Sequence, residues 1–307
     1  MRLRNALGMA AVAAIATVSH RYRRDAERAL DRLDRFEVGR AETRYGRVEY
    51  GMRGDGRPLL VIHGIVGGWD GAPSWHLFEP PGFRGITPAR FGYLGSSMPP
   101  QSTVELQAEV FRILLDALEI SMLPVLAFSA GSTSAVQLAL QFPDRVSRLA
   151  LLCPNSPHPV PVRLPPRWAA PYLFSQPVFW MLKSLAPQVL RRLAGFPPVF
   201  AWDARAHADE AQILDSFFPL NLRTRGIVFD AYVSNPAIAT LPLEHIAIPT
   251  LVVHAADDPL ASYDDARAMA ERIPGARFRT VPIGGHVFMH RDADAVAEVH
   301  EFLSQGA

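Results

Sequence analysis

Three residue types that acyl transfer requires stand in the order serine, acid, histidine along this chain. Ser129 lies in Leu126-Ala127-Phe128-Ser129-Ala130-Gly131, between an apolar run and a helical pattern. A nucleophile on so sharp a turn needs small neighbours, because the backbone brings segments too close for side chains two residues either side. Ala127 and Gly131 meet that need, although a serine among small residues equally suits a helix N-cap. Upstream, His63-Gly64-Ile65-Val66-Gly67-Gly68 ends an apolar run, and its glycines let backbone N–H groups face an oxyanion. Downstream, Asp257-Asp258 and Gly284-Gly285-His286 each follow another apolar run. A serine hydroxyl is a weak nucleophile until an imidazole accepts its proton, and an acid must orient that imidazole. On the residues alone, either Asp257 or Asp258 can be the acid.

The elements that would hold these residues are legible from periodicity. Continuous apolar runs at 59–63, 123–128, 148–153 and 250–254 suit strands covered on both faces, with further strands expected at 43–50 and 278–282. Ser102 and Glu105 read as a capping box before an apolar stripe of helical period through Leu118, and helices are expected at 133–142, 263–273 and 293–303. Strands alternating with helices imply an α/β architecture, a mostly parallel central sheet with helices on both faces. The alternation stops between Pro154 and about Pro236, in a segment rich in proline and aromatic residues with helical patches at 177–194 and 207–217. Such a long insertion between core strands reads as a mainly helical lid. The expected organisation is an amino-terminal segment over 1–36, a core over 37–155 and 236–307, and the lid over 156–235.

With these motifs in this order, the sequence resembles the α/β-hydrolase superfamily over roughly residues 37–307. His63-Gly64 matches its oxyanion-loop motif, Ser129 its nucleophile, Asp258 its acid and His286 its base. Pro249 to His254 followed by Asp258 looks like its acid strand, and Arg90-Phe91-Gly92-Tyr93 is similar to its loop after the fourth strand. Ala127, Ala89 and Ala255 depart from its usual glycine, aspartate and glycine, which leaves the three catalytic positions intact. The resemblance implies a serine-dependent, carboxylesterase-like hydrolase acting on an ester of a mainly apolar acid or alcohol. Backbone N–H groups of Ile65 and Ala130 would face the oxyanion, with Gly131 as the small residue of the nucleophile turn. The same constellation serves amidases, peptidases, thioesterases and C–C hydrolases, and a ligand-binding protein can retain it without turnover.

Composition limits the other classes. The 307 residues carry 31 basic and 30 acidic side chains, a net charge of +1, and 49% apolar residues, which fits a packed enzyme rather than a disordered chain or a nucleic-acid binder. No cofactor is implied, because the glycines after His63 lack the dinucleotide-binding spacing. No metal is expected either: His286 and His290 are four apart, but no accompanying ligand set is evident. The single cysteine, Cys153, ends an apolar run and reads as a buried structural thiol, and it excludes an intramolecular disulfide.

The basic charge is concentrated at the start. Residues 1–53 hold 12 arginines against 7 acids. Within them, the uncharged stretch 6–19 has arginines on both sides, too short to span a bilayer, and 22–36 reads as a basic amphipathic helix. Membrane-surface association or export through residues 1–36 is the expectation, set against a helix packed on the enzyme body in the cytoplasm. The oligomeric state is not encoded in these patterns.

Overall fold

Runs of apolar residues that do not alternate must be covered on two sides, and the structure covers them. The computed structural model describes residues 2–71, 75–160, 163–289 and 292–305, with side chains described at 13 and from 15 onward. Its strands are β1 (Val38–Thr43), β2 (Gly46–Arg53), β3 (Arg57–Ile62), β4 (Phe83–Pro88), β5 (Leu123–Phe128), β6 (Val146–Leu152), β7 (Thr250–Ala255) and β8 (Arg277–Val281). They form an eight-stranded sheet in the order β1-β2-β4-β3-β5-β6-β7-β8. β2 is antiparallel to both β1 and β4, and the remaining neighbours are parallel.

The helices are α1 (Arg2–Leu33), α2 (Val104–Ala117), α3 (Gly131–Gln141), α4 (Ala170–Leu173), α5 (Gln176–Leu185), α6 (Pro187–Leu193), α7 (Ala204–Ser216), α8 (Thr224–Phe229), α9 (Asn235–Ala237), α10 (Tyr263–Arg272) and α11 (Ala293–Ser304). Parallel neighbours require crossovers, which place helices on the sheet faces. Leu60, Ile62, Val125, Ala127 and Leu151 point to the face covered by α2, α3 and α10. Val61, Leu126, Ala150 and Val253 point to the opposite face, covered by α11 and Phe78.

Two local expectations differ from the structure, and one strand, β4, is absent from them. The strand expected at 43–50 is a hairpin, β1 and β2, turning at Gly46, whose φ of +103° suits glycine. β4 had no continuous apolar signature, since Gly85 and Pro88 dilute it. The cap of α2 is Thr103, whose hydroxyl accepts the Leu106 N–H at 3.2 Å, whereas Ser102 turns back to donate to the Pro99 carbonyl.

Between β6 and β7 the chain leaves the sheet for α4 to α9, with a π turn at Asp230–Ser234 joining α8 to α9. Pro177 and Pro187 sit in the first turns of α5 and α6, where a missing N–H costs nothing, so prolines punctuate this region into short helices. The amino-terminal segment is one helix, and its last third packs on the insertion. Ala29 joins the cluster of Leu190, Ile213 and Phe217, while Arg32 donates to Asp70 Oδ2 and the Phe218 carbonyl, both at 2.6 Å. No helix among the described residues is long and apolar enough to cross a membrane.

Candidate active site

Ser129 directly follows β5 and takes a left-handed φ of +48° before α3 begins at Gly131. A non-glycine residue there is strained by on the order of 1–3 kcal/mol, so the surroundings must enforce it. They do: the Ser129 N–H donates to the Leu152 carbonyl at 3.0 Å, and the Ser129 carbonyl accepts from Ser132 at 2.9 Å and Asn155 at 3.1 Å. A Cβ on Gly131 would sit 2.5 Å from the His63 carbonyl oxygen and 2.6 Å from that of Ile62, so only glycine fits. A Cβ on Gly64 would stand 3.1 Å from Ser129 Cβ, which places the His63-Gly64 loop directly beside the serine. Neither the Ile65 nor the Ala130 backbone N–H is paired with an acceptor among the described residues.

Asp258 and His286 are brought together at the same edge of the sheet. His286 Nδ1 lies 2.7 Å from Asp258 Oδ2. A carboxylate only accepts, so Nδ1 carries the proton and Nε2 keeps its lone pair. Asp258 Oδ1 accepts the N–H groups of Leu260 and Ala261, at 2.8 and 3.0 Å. Burial by itself raises the Asp258 carboxyl pKa, but the charge and hydrogen bond of His286, with those two N–H groups, outweigh it and hold the group below its ordinary value. Asp257 is turned elsewhere: its Oδ1 accepts the N–H groups of Gly284 and Gly285, at 2.9 and 2.8 Å.

Phe78 joins the two halves, packing edge-on against Phe128 before the serine and Phe288 after the histidine, at ring separations of 6.3 and 5.0 Å. No hydrogen bond connects the Ser129 hydroxyl to the His286 ring in this structure. Such contacts commonly tighten only when substrate is bound. The insertion reaches this point as well, because the His286 N–H donates to the Gly195 carbonyl at 2.8 Å.

His63 sits behind the glycine loop and supports it. Its Nε2 accepts the Arg90 N–H at 3.1 Å and its Nδ1 lies 2.8 Å from the Gly64 carbonyl, which together define a neutral ring with the proton on Nδ1. Complete burial and then the positive charge of Arg90 push His63 well below the usual imidazole value. Arg90 makes a bidentate pair with Asp230 at 2.5 and 2.6 Å, both side chains fully buried, and Tyr93 donates its hydroxyl to the same carboxylate.

Two neighbours of Asp258 have partners that sequence reasoning does not assign. Asp257 is hidden by its proximity to Asp258, since adjacency in sequence cannot say which carboxylate faces which partner. His254 is fully buried, with Nδ1 2.9 Å from the Ala255 carbonyl and Nε2 3.7 Å from Asp258 Oδ2. Cys153 lies in the same cluster, and burial followed by the Asp258 charge pushes its thiol well up, so it is an inert core group. Cys153, His254 and Asp258 lie close enough to supply ligand atoms to one ion, but Asp258 is already committed to His286 and two N–H groups. His290 lies outside the described residues.

A doubly covered, mostly parallel sheet that presents a strained serine and a carboxylate-bound histidine beyond its strand ends defines a hydrolase of the α/β type. The chain belongs to the alpha/beta hydrolase family, whose model matches residues 59–299. It is 27% identical over 254 residues to an uncharacterized hydrolase, YcgS, from Bacillus subtilis, spanning 79% of this chain and 89% of that one. It is also 27% identical over 289 residues to a 2-hydroxymuconate semialdehyde hydrolase from a Pseudomonas species, covering 88% of this chain and 95% of the other. Among solved structures, an alpha/beta hydrolase fold protein from Nakamurella multipartita matches with a TM-score of 0.70 and 26% identity, over 88% of this chain and all of that one.

Proposed function

We propose that the protein is a serine hydrolase that cleaves an ester with a mainly apolar acyl or alcohol part through an acyl-enzyme. The observation that carries this reading is the His286–Asp258 pair, held at 2.7 Å beyond the same strand ends as the strained Ser129. Ser129 attacks the ester carbonyl while His286 Nε2 takes its proton; Asp258 keeps the ring in the tautomer that leaves Nε2 free and stabilises the imidazolium. The N–H groups of Ile65 and Ala130 receive the oxyanion, aided by the positive end of α3. The imidazolium returns its proton to the leaving alcohol, and water then releases the acid by the same route.

The insertion at 156–235 serves as a lid over the acyl site, since Gly195 bonds directly to the backbone of His286. Residues 1–36 give the protein its hold on a membrane surface. A second reading, C–C bond hydrolysis with the same residues, is favoured by the semialdehyde hydrolase relative. A panel of esters, amides, thioesters and vinylogous diketones separates the readings, and turnover confined to diketones rejects the ester assignment.

Ser129→Ala tests the core of the proposal. It should lower turnover of p-nitrophenyl butyrate by on the order of 10⁴–10⁶ and abolish fluorophosphonate labelling, with unchanged thermal unfolding. Labelling that persists in this variant rejects Ser129 as the nucleophile.

A further inference from the structure

The insertion carries an apolar stripe that the described residues leave exposed. Pro177, Met181, Leu185, Val189 and Leu193 recur at four-residue spacing along α5 and α6, and all are exposed, Leu185 at 80% and Leu193 at 54%. The inner side of the same helices is also apolar: Phe179, Trp180, Leu182 and Leu190 pack into the cluster of Ile213 and Phe217. Helices apolar on two sides belong in a setting that covers both. α1 borders this surface, because Trp180 of α5 meets Tyr22 edge-on at 5.5 Å and donates its indole N–H to Asp25 at 3.0 Å. Ile15 and Val18 continue the Tyr22 side of α1 and are exposed, at 66% and 51%.

Charge selects the occupant. The first 24 residues contain five arginines and no acid, and Arg21, Arg23 and Arg24 are exposed beside Tyr22. Apolar side chains that enter the acyl boundary, bordered by arginines at headgroup level, are the composition of a helix lying in a membrane interface. A second copy of the chain would bring a like-charged rim against this one, whereas an anionic bilayer complements it.

We propose that α1 and the outer face of α5–α6 form one docking surface for an anionic phospholipid bilayer, and that the acyl site draws an amphipathic ester from that surface. The stripe ends at Leu193, two residues before Gly195, whose carbonyl holds the His286 N–H. A docked bilayer therefore lies next to the segment that touches the candidate base. The docking half stands on the surface alone; the substrate half rests on the ester-hydrolase reading.

Co-sedimentation of the full-length protein with vesicles of phosphatidylcholine, with and without phosphatidylglycerol, tests the docking half. Binding should be at least about tenfold stronger to the anionic vesicles at low salt and weaken as salt rises. Leu185→Glu/Val189→Glu and Ile15→Glu/Val18→Glu should each reduce the partition coefficient by about tenfold or more. Both pairs are on the surface, so thermal unfolding and hydrolysis of water-soluble p-nitrophenyl acetate should match the parent. A parent that binds neither vesicle, or a Leu185→Glu/Val189→Glu variant that partitions like the parent, overturns the docking surface. So does a parent dimer without vesicle affinity that this variant converts to monomer, which assigns the stripe to a second copy. For the substrate half, turnover of a medium-chain ester should rise on anionic vesicles in the parent and not in the glutamate variants. Rates indifferent to vesicles reject it, and a protein that binds vesicles yet hydrolyses no ester leaves the docking surface standing while the ester reading fails.

Discussion

Asp257 and Asp258 are chemically identical neighbours with different work. Asp258 faces the His286 ring, while Asp257 accepts the two N–H groups immediately before that residue, so one holds the imidazole and the other its backbone. Asp257→Ala leaves those N–H groups unpaired in a part-buried loop and frees the ring to wander, and a misplacement of about 1 Å can cost on the order of 10²-fold in rate. The expected result is a fall in kcat with KM little changed. Asp257→Asn keeps an acceptor oxygen in the same place and should recover most of the loss, which steady-state kinetics on one soluble ester would show. A variant with alanine that matches the parent would mean the loop holds itself.

His63 couples stability to pH. Its folded pKa is depressed by burial and by Arg90, while the unfolded chain takes up a proton near the ordinary value of 6.5. The stabilisation from keeping this ring neutral is complete above that value and is lost as pH falls below it toward the folded pKa. His63→Gln retains an acceptor for the Arg90 N–H but cannot be protonated. Urea midpoints should therefore fall less steeply in the variant than in the parent between about pH 7 and pH 5, and parallel slopes would show that other groups set the acid sensitivity.

Among the elements, the sheet is far more legible in the sequence than the contacts that tie the insertion to it. β3, β5, β6 and β7 announce themselves because both faces are buried and the apolar run is unbroken, and Ser129 and Asp258 fall just beyond strand ends for the same reason. β4 and the β1–β2 hairpin carry glycine, proline and charged residues, so their pairing is set by neighbours rather than by their own pattern. Least legible is the Arg90–Asp230 pair, whose members are 140 residues apart and join the loop after β4 to the π turn before α9. Only the folded chain shows that these charges neutralise one another. Asp230→Leu strands the Arg90 guanidinium in the core and should cost about 3–5 kcal/mol in urea unfolding, whereas adding Arg90→Met should return much of it, because an apolar pair of similar volume carries no desolvation penalty. If the double variant were less stable than the single, Arg90 would have another partner that accounts for its burial.

At the scale of the whole molecule, the basic amino-terminal helix has two parts with different structural roles. Its last third is built into the body. Ala29 and Leu33 are buried, Tyr22 and Asp25 engage Trp180, and Arg32 reaches both Asp70 and the Phe218 carbonyl. Asp70 in turn accepts the buried Arg223, which also donates to the Gly67 carbonyl, so the helix is linked through one carboxylate to the glycine loop beside Ser129. Before Tyr22, the side chains described from residue 13 to His20 are exposed except at Ser19, which is half-buried. Removing residues 1–20 should therefore leave the melting temperature within about a degree, since exposed positions contribute within about 0.5 kcal/mol each. Removing residues 1–36 uncovers Trp180 and the Ala29 contact and takes one of two arginines from Asp70, a loss on the order of 3–5 kcal/mol. For a domain of this size that is roughly 6–15 °C in scanning calorimetry, and the disturbed glycine loop should lower turnover of a soluble ester as well. Equal melting temperatures for the two truncations would mean that α1 is a passenger throughout. A large drop already at residue 20 would mean that the segment before Tyr22 is held by contacts its own chain supplies.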